Sequence, residues 1–105
     1  MRRAARVDAN HHAIVQCLRS VGAHVESLAA VGGGIPDLLV GFRGRNWLLE
    51  VKDGRRPPSE RRLNPAQQAW HAVWAGHVVV VRSPEEALRA IGISVEARTG
   101  NGGAT

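Results

Sequence analysis

Two apolar runs, residues 37–42 and 47–52, sit inside the stretch "GIPDLLVGFRGRNWLLEVKDG" at 34–54 and constrain the fold more than any other part of the chain. Each has strand length, and the "RGRN" between them is a hairpin signal. Alternate residues of a strand share a face, so Glu50 and Lys52 point one way while Trp47, Leu49 and Val51 point the other. A turn through Gly44 and Arg45 sets Asp37 opposite Lys52 and Leu39 opposite Glu50. A two-residue shift sets Asp37 opposite Glu50 instead. In both registers the three charged groups share a face, whereas a one-residue slip separates them. Leu39 and Leu48 fall on that face too, which places the charges at the rim of a packed layer.

The remaining elements follow from caps and periodicity. Asp8 as N-cap, Ile14, Leu18 and Val21 at helical spacing, and Gly22 as a stop predict a first helix over 8–21. Residues 24–29 read as a short strand, and the glycines at 32–34 as a loop. Residues 53–64, polar and rich in proline and arginine, read as a long exposed loop. Asn64 before Pro65 starts a second helix that runs to Gly76. The β-branched run at 77–83 reads as a buried strand, and Ser83, Pro84 and Glu86 as a capping box that launches a third helix to about Ile91. This order predicts an α/β fold, a mixed sheet flanked by helices on both faces. The 105 residues suffice for one domain, expected over 1–95, and the polar segment 96–105 is expected to be a disordered tail.

Fourteen Lys and Arg against nine Asp and Glu leave a formal charge of +5, supplied almost entirely by arginine, which favours an anionic partner such as nucleic acid. Cys17 is the only cysteine, so no internal disulfide forms and no Cys/His zinc array is present. No run reaches the length of a membrane helix and no apolar segment follows the basic N-terminus, so a cytoplasmic location and no membrane partner are expected. The glycine triplet lacks the Lys-Ser or Lys-Thr of a phosphate-binding loop, so no nucleotide cofactor is inferred.

The charged face has a chemical use. Two carboxylates held close repel each other unless a cation lies between them, and oxygen ligands of this kind suit Mg²⁺ or Mn²⁺. The Lys52 ammonium is placed to orient an attacking water and offset developing charge. The bland alternative is a turn aspartate beside an exposed Glu-x-Lys strand face.

"PD" at 36–37 followed by "EVK" at 50–52 resembles the PD-(D/E)xK nuclease superfamily, and the run from Gly32 to Gly54 with "LNPAQQAWH" at 63–71 is similar to the compact phage and bacterial VRR-NUC domain. The resemblance implies the restriction-endonuclease-like αβββαβ core and a Mg²⁺-dependent DNA endonuclease giving 5′-phosphate products, in a bacterial cell or phage-infected host. It implies Asp37, Glu50 and the Val51 carbonyl as metal ligands, Lys52 as the catalytic lysine, and Gln67 as the glutamine this family adds to the site. Related nucleases and junction resolvases carry a glutamate on the first helix, where this chain has Asn10 and His11; that departure bears on a second metal. Resolvases of the superfamily work as homodimers on branched DNA, which sets structure-specific cleavage by a homodimer as the expectation.

Arg55, Arg56, Arg61 and Arg62 follow the catalytic strand as a candidate DNA-contacting arm, with a solvated loop as the alternative. The glycine triplet is read as letting a DNA backbone approach Asp37. Trp70 and Trp74, four apart on the second helix, are read as core or a dimer contact, Cys17 as packing, and His11, His12 and His71 as surface residues. Two rival readings stand beside the nuclease: a non-catalytic DNA-binding module on the same fold, and a basic structural or assembly protein.

Overall fold

A computed structural model describes residues 9–95. Within them, α1 (His11–Ser20), β1 (His24–Ser27), β2 (Leu38–Phe42) and β3 (Arg45–Val51) lead to a single helical turn α2 (Pro58–Arg61), then α3 (Pro65–Val73), β4 (Val79–Val81) and α4 (Pro84–Ala90). The four strands form one sheet in the order β1-β2-β3-β4, antiparallel except for the parallel β3–β4 pair. The expected mixed α/β architecture is the observed one.

The hairpin register departs from the turn through Gly44 and Arg45. Phe42 pairs with Arg45, leaving Arg43 and Gly44 as a two-residue turn, and both adopt positive φ, 53° and 80°. This geometry matches the right-handed twist of the flanking strands. Leu38 then pairs with Leu49, and one step further along the ladder Asp37 lies opposite Glu50 rather than Lys52.

The core lies on one side of the sheet. Ile14 and Leu18 of α1 and Ala87 of α4 cover Leu38, Val40, Leu49, Val51 and Val81, all essentially inaccessible, and Trp47 joins them as its parity requires. The other face is covered more thinly. Leu39 is 40 % exposed, Leu48 is half-buried, and α3 approaches this face without burying any residue of its own. The packed layer expected around Leu39 and Leu48 is therefore an open shelf. β4 is also less buried than its valine run predicts, because it is an edge strand: only Val81 of the three is fully enclosed.

Local chemistry refines the remaining boundaries. Asn10, not Asp8, occupies the N-cap position of α1, and Asp8 lies outside the described residues, as does the segment 96–105. The loop at 53–64 contains α2, started by Pro58. The full capping box belongs to α3: the Asn64 side chain accepts from Gln67 N, and the Gln67 side chain accepts from Asn64 N. At α4, Ser83 accepts from Glu86 N, but the Glu86 carboxylate takes Arg82 N in place of Ser83 N. α3 stops at Val73, three residues short of Gly76, and the Trp74 indole folds back to donate to the His77 carbonyl at 3.2 Å.

One glycine of the triplet, Gly34, serves a close approach within the protein's own backbone. A Cβ on Gly34 would lie 2.2 Å from the carbonyl oxygen of Ala66, so only glycine lets the loop before Asp37 meet the first turn of α3. Gly32 and Gly33, by contrast, have nothing within 4 Å of a Cβ.

Candidate active site

β3 carries Glu50 and, at its end, Lys52 toward the α3 side of the sheet, both buried, at 1 % and 8 % exposure. Asp37 precedes β2 on the neighbouring strand, and its Oδ2 accepts from the Val51 backbone N–H at 2.7 Å, locking the carboxylate to the end of β3. Pro36, fully buried, fixes the approach of the chain into this position. Asp37, Glu50, Val51 and Lys52 thus meet at one corner of the sheet.

Gln67 joins them from α3. Its Nε2 donates to Glu50 Oε2 at 2.9 Å, while its Oε1 accepts from Lys52 Nζ at 2.9 Å and from the Asn64 backbone N–H at 2.9 Å. The capping box therefore sets the amide orientation, and the amide in turn spaces a buried carboxylate from a buried ammonium. Hydrogen bonds to charged groups of this kind are worth roughly 1.5–3 kcal/mol each, enough to offset part of the cost of burying the charges. Gln68, one position round the helix, turns away and donates to the Leu63 carbonyl.

His71 is not the surface residue that the sequence suggests. One turn beyond Gln67, its side chain is only 15 % exposed and its Nε2 stands 3.6 Å from Glu50 Oε1. Burial, with the Lys52 charge adding, holds its pKa below the ordinary histidine value. The signal was the four-residue spacing from Gln67, which puts both on one helix face.

Asn10 has a structural role at the start of α1. Its Nδ2 donates to the carbonyls of Lys52 at 3.0 Å and Arg82 at 2.8 Å, tying the ends of the parallel strands β3 and β4 to the start of α1. His11 is half-buried beside it.

Of the four arginines after β3, two are engaged internally. Arg55 forks onto the buried Asp53 carboxylate through Nε and Nη2, both at 3.0 Å, which holds Asp53 below the usual carboxylate range. Arg56 pairs with Glu60 four residues on. Arg62 is exposed, and Arg61 is half-buried with its Nε shielded. Trp70 and Trp74 stack with ring centroids 4.7 Å apart on α3, outside the core. Cys17 is half-buried, its thiol pKa raised by burial and by Glu85.

The donor set fits a hard divalent cation. Asp37, Glu50 and the Val51 carbonyl, the ligands that the resemblance implies, offer oxygen alone. Such a set suits an ion that keeps several waters, as Mg²⁺ does, rather than a closed zinc site.

No family model matches the chain, and no curated protein matches it. Among solved structures, one described as a VRR-NUC domain aligns with 80 % of this chain and 96 % of its own length, at 28 % identity and a TM-score of 0.57. A mixed four-stranded sheet with flanking helices, matched over nearly the whole of that domain, gives this chain the nuclease-type fold of a VRR-NUC domain.

Proposed function

We propose that the protein is a metal-dependent endonuclease that hydrolyses DNA phosphodiesters, with branched or junction DNA as its preferred substrate. The observation that carries this reading is the convergence of Asp37, Glu50, Lys52 and Gln67 at one corner of the sheet, two of them buried charges held through a single amide. Buried charges cost stability, and a fold that retains them at its rim has a use for them.

Asp37, Glu50 and the Val51 carbonyl would hold Mg²⁺, or Mn²⁺ in its place. When bound, the ion supplies Lewis-acid polarisation of a phosphoryl oxygen and lowers the pKa of a coordinated water. Lys52 orients the attacking water and offsets charge as the phosphorus becomes five-coordinate; the 3′ oxygen then leaves, giving a 5′-phosphate. Gln67 fixes the Lys52 ammonium and the Glu50 carboxylate in position. His71, against Glu50 on the α3 side, screens that carboxylate from solvent.

With Asn10 committed to two backbone carbonyls, the first helix adds no carboxylate among the described residues, and we assign a single metal. Specificity for DNA structure rests on the small reading surface of the domain. The exposed end of α3, with Val73 79 % and Trp74 41 % accessible, is the contact we assign to a second copy, which would bring two active sites to a branch.

The test is cleavage of end-labelled four-way junction, splayed-arm, single-stranded and duplex DNA by wild type and Lys52→Ala in Mg²⁺, Mn²⁺ or EDTA. We expect metal-dependent cutting, strongest on branched DNA, that falls at least about a hundredfold in the variant while binding persists. Binding without cutting under every condition would establish the non-catalytic DNA-binding module instead.

A further inference from the structure

The carboxyl ends of the two parallel strands, β3 and β4, open into a cleft of about 620 Å³ that the catalytic cluster does not use. Lys52 turns to Gln67, whereas the next residue, Asp53, lines the cleft together with Asn10, Arg55, Arg61, Arg82 and Glu86. Clefts at this end of parallel strands are where open α/β sheets bind ligands, and the volume falls in the range of small-molecule sites.

The charges of the cleft do not cancel. Asp53 is matched by Arg55. Glu86 meets Arg82 only loosely, Arg82 Nη1 standing 3.7 Å from Glu86 Oε1 with the arginine 47 % exposed, an ion pair worth little in water. Arg61 forms no ion pair among the described residues, and its Nε is buried without a hydrogen-bond partner. One positive charge is left over, beside a second guanidinium that is easily redirected. A phosphodiester carries one negative charge and presents oxygens that two guanidinium groups can fork. Asn10 adds an acceptor: it is only 7 % exposed, its Nδ2 is committed to two carbonyls, and its Oδ1 is buried with no partner. A bare phosphate diester has no donor for that oxygen, whereas a nucleotide carries base amines and sugar hydroxyls.

We infer that the cleft binds one nucleotide, its phosphate held by Arg61 and Arg82 and a donor of its base or sugar directed to Asn10. The inference rests on the DNA reading above and locates the anchoring point on it: a strand whose scissile phosphate lies at Asp37 and Glu50 rounds the end of β3 and seats a neighbouring nucleotide here. Arg82, outside the arginine-rich loop, becomes a DNA contact, and Arg55 becomes a support for Asp53.

The test measures equilibrium binding of a fluorescent 20-nucleotide single strand in EDTA, with and without competing dAMP, to wild type, Arg61→Ala/Arg82→Ala, and the charge-matched Arg45→Ala/Arg89→Ala, whose arginines lie outside the cleft. We expect the cleft variant to lose about tenfold in affinity at 0.1 M salt and its log Kd against log salt slope to fall by about 0.7–1, with the control within about twofold of wild type. Competition by dAMP that the cleft variant abolishes would show that a free nucleotide enters alone; its absence would assign the cleft to a nucleotide within a strand. The Arg61→Gln single variant, on the exposed α2 turn, should lose about threefold and decides the matter if the double variant does not fold. Equal binding by cleft variant and control overturns the inference while leaving the cleavage assay to stand or fall by itself. Arginine-dependent binding by a protein that never cuts would uphold the cleft and remove the nuclease reading.

Discussion

Gly34 shows how a single residue couples the two halves of the site. It joins the loop carrying Asp37 to the first turn of α3, which carries Gln67, and its φ of +84° adds a backbone constraint to the steric one. Its neighbour Gly33 also has positive φ, +70°, but a Cβ there meets nothing within 4 Å. Gly33→Ala should therefore cost only the backbone penalty, about 1 kcal/mol, while Gly34→Ala should cost on the order of 2–4 kcal/mol and lower cleavage as well. Urea unfolding of the two variants checks this, and equal losses would mean that the Ala66 carbonyl yields without consequence. At this scale the sequence was partly legible. Glu50 and Lys52 followed from strand parity and Gln67 from the resemblance, but His71 and Arg82 acquire their surroundings only from the packing of α3 and the end of β4. Asn10 was legible as a departure from related nucleases, though not as the residue that holds the Lys52 and Arg82 carbonyls.

Among the elements, α3 is the one whose position decides the chemistry, and it is held mostly by its N-terminus. It buries no residue, so the Asn64 cap and the Gln67 amide, with Gly34 against Ala66, take the place of a packed face. Asn64→Ala should cost about 1 kcal/mol in stability, the usual value of a lost cap. It should also reduce cleavage about tenfold by loosening the turn that aims Gln67, since small displacements of positioning groups are costly in rate. Asn64→Asp, which keeps the acceptor, should restore both. Thermal unfolding and single-turnover cleavage of the two variants separate this from a purely structural cap, for which stability falls and the rate at saturating DNA does not. The start of α3 could be read from Asn64-Pro65, because the cap and the proline act locally. The hairpin register could not be fixed to within two residues, because both alternatives keep Leu38 and Leu49 inward; the positive φ at Arg43, a residue with no turn signature, selects between them.

For the molecule as a whole, one well-packed face and one open face follow from the distribution of apolar residues. α1 and α4 bury the inward residues of every strand, and the other face keeps Leu39, Val73 and Trp74 accessible. We expect sedimentation equilibrium at micromolar concentration to show a dimer that Val73→Glu/Trp74→Glu converts to monomer; monomeric wild type would leave these residues for another partner. Among the described residues no helix is long and apolar enough to cross a membrane. The predicted mixed sheet emerged because alternation and caps are local signals, whereas the unequal covering of its faces depends on where α3 lands. One further property concerns the cations. Thirteen of the fourteen basic residues are arginines, and Lys52 is the only lysine in the chain. The site therefore contains the protein's sole side-chain amine, enclosed at 8 % exposure and hydrogen-bonded to Gln67. Reductive ¹³C-methylation would place a single side-chain reporter there, and its chemical shift would register metal, DNA and the state of the Gln67 bridge without interference from any other lysine.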